Sequence, residues 1–231
     1  MFFDWDWEGA EHALRRAIEL NPSDPHAHHM LANYLLAMGR PGEAVSARLR
    51  AVELDPLNAR TGILLGGDYD AAGDLHQAII QFRRAIRLDP MNPLALGLGP
   101  QLPAGPGGVY LKQGRYTEAA EDYLRIATLR GAAASELDSM RSAFARSDIQ
   151  DFWRSWLAMD LRQSGSNPNP LRIATQWALI GDTTQAFDWL DRAYGERNPG
   201  LIFLWFEPAF QNIRSHPRVA RILREMKFPT R

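Results

Sequence analysis

The sequence predicts an all-α fold: a right-handed superhelical solenoid of stacked helix–turn–helix units, with a degenerate unit and a capping helix towards the C-terminus. Three observations predict it. The segments Leu20-Asn21-Pro22, Leu54-Asp55-Pro56 and Leu88-Asp89-Pro90 recur with their prolines 34 residues apart. Inside that period Gly39 and Gly73 each follow the preceding proline by 17 residues, Ala44 and Ala78 come five later, and Ala51 and Ala85 seven after those. The third observation is periodic: Gln77-Ala-Ile-Ile-Gln-Phe82-Arg-Arg-Ala85-Ile86 repeats its apolar residues at helical spacing. A fixed period of this length means units that each bury their apolar face only against a neighbour.

Each residue type has a physical reason. Alanine where two helices cross lets their backbones approach, and a larger side chain there overpacks the contact at about 1–3 kcal/mol. Glycine ends the first helix of a unit because it enters the left-handed cap conformation without steric penalty. Proline ends the second helix, since it cannot continue one and biases the residue before it away from helix. Period, glycine, both alanines and proline together resemble the tetratricopeptide repeat family, whose unit is a 34-residue helix pair.

Taken in order, residues 4–20 read as the second helix of a unit whose first helix is missing. Ala10, Leu14, Ala17 and Pro22 fall where Ala44, Arg48, Ala51 and Pro56 fall one unit later. Half a unit cannot bury its apolar face alone. Trp5, Trp7 and Leu14 are therefore expected to be partly bare, or covered by an upstream output domain or partner. Residues 25–56 and 59–90 form two full units. The third is irregular. Gly114 follows Pro90 by 24 residues rather than 17, and the surplus falls in a Pro/Gly insertion at 98–108. Pro100, Pro103 and Pro106 oppose a continuous helix there. A short helical start near Pro93, a loop, a stub over 108–113 and a second helix over 116–129 are expected. The insertion is either functional or simply tolerated. The division expected is thus a repeat array over 1–131, a two-helix connector over 132–165, and a degenerate unit with a capping helix over 166–231. Phe152, Trp153, Trp156 and Leu161 in the connector are read as core. Residues 201–206 form a short apolar run, extended or a tight helical turn, and 217–226 an amphipathic cap.

Composition narrows the function. The 231 residues carry 26 basic and 27 acidic side chains, for a net charge of −1. Such a chain has no bulk attraction to nucleic acid or an anionic membrane, which sets aside RNA binding by a helical repeat. There is no cysteine, hence no disulfide or thiolate site. No apolar run approaches the roughly 20 residues a membrane-spanning helix needs. A soluble chain is expected, in the cytoplasm rather than the periplasm. No G-x-S-x-G or H-E-x-x-H is present, and serines and histidines are scattered without pattern, so the chain is read as non-enzymatic and without cofactor. His26, His28 and His29 invite a metal reading. Without a placed third ligand they are better read as structural.

The expected function is a protein-interaction scaffold that takes a protein or peptide ligand in its concave groove. The groove candidates are His26, His29, Asn33 and Leu36 in one unit, and Arg60, Ile63 and Asp70 in the next. Asn33 sits where the repeats resembled here often hold a peptide backbone. Gly67 occupies the same place one unit later and no lysine pair follows, so a carboxylate clamp is not expected. Residues 4–22 and the stretches 186–197 and 207–219 also resemble the C-terminal repeat region of bacterial signalling proteins. In those proteins the array follows a winged-helix, cyclase or Ser/Thr kinase domain. The resemblance implies a regulatory or sensing module.

The register is testable. Ala78→Leu should lower the melting temperature much more than Ala71→Leu, near the end of its helix. Equal losses by differential scanning fluorimetry would disprove the register.

Overall fold

A computed structural model describes residues 6–96, 105–205 and 207–228. The described residues form twelve α-helices and two 3-10 helices, with no strand. The helices are α1 (Trp7–Leu20), α2 (Pro25–Ala37), α3 (Pro41–Leu54), α4 (Ala59–Ala71), α5 (Leu75–Leu88), α6 (Pro106–Lys112) and α7 (Tyr116–Leu129). They continue with α8 (Ala134–Ala145), α9 (Ile149–Ser164), α10 (Pro170–Ile180), α11 (Thr183–Gly195) and α12 (Pro217–Glu225). The 3-10 helices, Pro199–Phe203 and Pro208–Ile213, precede α12. Helices pack as consecutive antiparallel pairs: α2 with α3, α4 with α5, α6 with α7, α8 with α9, α10 with α11.

The repeated turn has a compact logic. The amides of Asn21, Asp55 and Asp89 close the preceding helix onto the carbonyls of Ala17, Ala51 and Ala85. Three residues on, Asp24 and Asn58 cap the next helix by accepting from the amides of His26 and Thr61. Within each pair the turn residue is left-handed: Gly39, Gly73, Gly114 and Gly181 all have positive φ. Ala44, Ala51, Ala78 and Ala85 are buried, as the helix-crossing argument requires. Gly66 packs directly beneath the Phe82 side chain of α5. A Cβ built there would lie 2.6 Å from the Phe82 ring.

The pair α8–α9 follows the same register, which the sequence alone did not disclose. Ser147 takes the left-handed turn with φ 56°. Phe152, Trp156 and Met159 follow it at the spacings of Ala44, Arg48 and Ala51 after Gly39. A serine stands for the glycine, and two large side chains stand for the alanines. All three large residues are fully buried. Tyr123, Phe152, Trp153 and Trp156 form one aromatic cluster with edge-on and tilted contacts, so the tryptophans are core. Leu161 is exposed. Below this cluster Asp160 is buried between Arg130 and Arg172 and ties α7, α9 and α10 together.

The irregular third unit has the expected stub, here α6. Residues 93–96 form turns rather than a helical start, and most of the 98–108 insertion lies outside the described residues. The apolar run 201–206 begins as a 3-10 turn.

One expectation is overturned. Trp7 is not bare, and its cover comes from the chain itself. The indole Nε1–H donates to the Met226 carbonyl at 2.9 Å, its ring lies 4.8 Å from Phe228, and Ile202 joins the same buried cluster. The C-terminal segment thus supplies apolar surface where the missing first helix of the half unit would pack. The cover reaches only the start of α1, and Ala17 is exposed. Leu14 is half-buried; Trp5 lies outside the described residues.

Two glycines on one helix separate packing from propensity. Gly66→Ala should destabilise by about 1–3 kcal/mol, because the Phe82 ring must move. Gly67→Ala meets nothing within 4 Å and should stabilise by up to about 1 kcal/mol. Urea denaturation of both variants checks the pair; the same sign for both would refute the close contact.

Candidate functional site

Helix α2 and the first turn of α4 bring together four of the expected groove residues. His26 and His29 stack with ring centroids 6.1 Å apart. Asn33 is one turn beyond His29. Arg60 is exposed in the first turn of α4, close enough for its charge to act on His29.

Beneath them lies a charge that sequence reasoning missed. Arg48 of α3 is fully buried. Its Nε donates to Asp68 Oδ2 of α4 at 2.8 Å. Nη1 donates to His29 Nδ1 at 2.8 Å and to the His29 carbonyl at 3.2 Å. Nη2 donates to Asn33 Oδ1 at 2.8 Å. One guanidinium therefore joins α2, α3 and α4. Removing one partner of such a buried pair costs about 3–5 kcal/mol, because the other charge is left uncompensated.

This arrangement dictates hydrogen positions. Arginine only donates, so the Nδ1 it meets must be a lone pair and Asn33 must turn its oxygen to Nη2. His29 is then neutral with its proton on Nε2. Asn33 Nδ2 stands 3.3 Å from that Nε2. Both atoms carry hydrogens, so neither satisfies the other. They form two adjacent donors on a half-buried surface. Burial, then the charges of Arg48, Arg60 and His26, hold His29 neutral, with its pKa pulled down to about 4.

The other three candidates separate from this site. Ile63 is fully buried among Ala78, Phe82 and Ala85 and cannot line a groove. Leu36 packs against the cluster around Trp7. Asp70, in the last turn of α4, accepts both bonds of its pair with Lys112 Nζ at 2.7 Å. The far end of the groove is where the C-terminal segment lies. Gly39, Asp70, Ala71 and Lys112 face Trp205, Pro208, Gln211 and Arg214 across a cavity of about 300 Å³. Among the described residues no group of three or more His, Asp or Glu could hold a metal, and no helix is long and apolar enough to cross a membrane.

A signal for Arg48 and Asp68 existed in the 34-residue register. Arg48 stands where Leu14 and Phe82 stand, and Asp68 where Tyr34 stands. Two opposite charges at apolar positions of adjacent units imply a buried pair.

Residues 13–46 match the tetratricopeptide repeat family. No curated protein matches the chain. Among solved structures, a tetratricopeptide repeat protein from Parabacteroides merdae aligns at 15% identity over 98% of this chain and 89% of its own, with a TM-score of 0.51. MamA aligns at 18% identity over 82% of this chain and 92% of its own, with a TM-score of 0.49. YrrB, described as a tetratricopeptide repeat protein with an unusual peptide-binding site, aligns at 20% identity over 85% and 98%, with a TM-score of 0.47. The first likeness agrees with the helix-pair solenoid built above and speaks to fold alone.

Neutral His29 gives the site a pH dependence of known sign. Its pKa is lower folded, about 4, than unfolded, 6.5. Between those values the unfolded chain binds the extra proton, so stability falls as pH drops from about 6.5 to about 4. His29→Gln, which can still accept from Arg48, should flatten that part of the profile. Urea midpoints across the window, for both proteins, decide it; parallel profiles would refute a neutral His29.

Proposed function

We propose that this chain is a non-catalytic protein-interaction module that takes a peptide at the His26–His29–Asn33–Arg60 end of its inner face. The observation that carries the reading is the pair of unsatisfied donors, His29 Nε2–H and Asn33 Nδ2–H, held side by side by Arg48. A peptide carbonyl or carboxylate oxygen accepts from both at once. Exposed His26 and Arg60 flank the pair and favour an oxygen that carries negative charge. Two donors side by side on a half-buried surface favour a ligand that offers one acceptor to both. Preorganisation adds to this: Arg48 has already fixed both side chains, so little rotamer freedom is lost on binding.

The likeness of residues 4–22, 186–197 and 207–219 to repeat regions of bacterial signalling proteins supports a regulatory role within such a protein. In that reading the peptide is a segment of a signalling partner, and the compartment is the cytoplasm. The groove is shorter than the seven candidate residues implied, since the chain's own 3-10 segment lies at its other end.

The test is a peptide selected from a display library against the full chain, followed by calorimetry on variants. Asn33→Asp keeps an oxygen for Arg48 and removes the donors. It should weaken the selected peptide at least about tenfold, the worth of one such hydrogen bond, with the fold intact by circular dichroism. Arg60→Ala should weaken acidic peptides more than neutral ones. Selected peptides indifferent to both changes would sink the reading.

A further inference from the structure

Arg214 is a half-buried charge that the proposed peptide site does not use. It follows the second 3-10 helix, and its guanidinium lies 4.9 Å above the Trp205 ring. Its Nε is buried and has no hydrogen-bond partner. Among the described residues it forms no ion pair. Burial alone acts on it and pulls its pKa below the usual arginine value. Most arginines on this chain sit against a carboxylate, and the neighbours Arg218 and Arg221 share Asp191.

The unpaired arginine lines the roughly 300 Å³ cavity between the C-terminal segment and the ends of α2, α4 and α6. That volume is at the lower end of the range for small-ligand pockets, about 300–1,000 Å³. Trp205 gives it one flat apolar wall and Gln211 a neutral polar group. The acidic groups nearby are accounted for. Asp70 is bound to Lys112 through both oxygens. Glu207, pushed up by burial, also feels Lys112 and accepts from the Ala209 amide. The cation left over is Arg214.

We propose that this cavity is a binding site for a carboxylate-bearing ligand, which Arg214 pairs with while Trp205 supports the guanidinium from its other face. A stacked guanidinium keeps its in-plane fork of N–H donors for a planar, two-oxygen acceptor. The ligand is a free small carboxylate or an acidic side chain of a bound peptide. The site is at the opposite end of the inner face from His29 and Asn33 and stands independently of the peptide reading. Its walls come from both the C-terminal segment and the inner helices, so an occupant holds the segment against α2, α4 and α6.

The experiment uses the full chain and glutarate as probe, with glutaramide as its neutral isostere. Glutarate should bind by calorimetry and raise the melting temperature; glutaramide should do neither. Arg214→Gln should weaken glutarate about tenfold or more, as expected for a charge-assisted bond, and Arg214→Lys should restore part of the loss. If Arg214→Gln fails to fold, Trp205→Leu replaces it, with the same weakening expected. The capped peptides Ac-Ala-Glu-Ala-NH2 and Ac-Ala-Gln-Ala-NH2 form the second arm. Preference for the first, lost with Arg214, identifies a peptide acid as the ligand; glutarate binding alone identifies a free carboxylate. Equal responses to charged and neutral probes, binding unchanged in the Arg214 variants, or no response at millimolar concentration in either arm would overturn the proposal. The Arg214 dependence of glutarate binding should persist in an Asn33→Asp background, which separates failure here from failure at the other site.

Discussion

Arg48 is a fully buried guanidinium, and it sits where the neighbouring units place a leucine and a phenylalanine. Everything at the candidate site follows from that constraint. A buried permanent charge needs a buried counter-charge, and Asp68 of the next unit supplies it. The remaining guanidinium hydrogens find acceptors in the His29 lone pair, the His29 carbonyl, the Asn33 oxygen and the second oxygen of Asp68. Those acceptors leave His29 and Asn33 with their hydrogens facing the groove. The same contacts join α2, α3 and α4, so the site's geometry and the stacking of two units are held by one side chain.

The second organising feature is closure of the array by its own C-terminal segment. A stack of helix pairs leaves an apolar face at each end. Here Ile202, Met226 and Phe228 reach the start of α1 and cover Trp7, while Leu201, Leu204 and Phe210 bury themselves against α10 and α11. The inner face is thereby divided. One end, at the first turns of α2 and α4, remains open and cationic. The other, at the last turns of α2, α4 and α6, faces Trp205 and Arg214 across the cavity.

The regular units were legible because the constraint on them is local and repeated. Alanine where helices cross, glycine at φ > 0 and proline after the second helix each answer a steric demand that recurs every 34 residues. The pair α8–α9 was not legible as a unit, because Ser147, Phe152 and Met159 meet the same demands with other residue types. A serine can pay about 1 kcal/mol for the left-handed turn, and Phe152 packs into the aromatic cluster with Tyr123 and Trp156. Ile63 was misplaced for a related reason. Its position suits a groove residue in register, but Phe82 and Ala85 close over it.

By itself, the sequence determined the helix-pair solenoid, its turns and the break in the third unit. These follow from spacing along the chain. Only the tertiary structure decided that Arg48 reaches His29, that His29 keeps its proton on Nε2, and that residues 202, 226 and 228 cover Trp7. Those contacts join residues 19 to more than 200 positions apart. Periodicity aligns equivalent positions of adjacent units but does not say which other side chains a superhelix brings into reach, so the chemistry of the site waited on the fold.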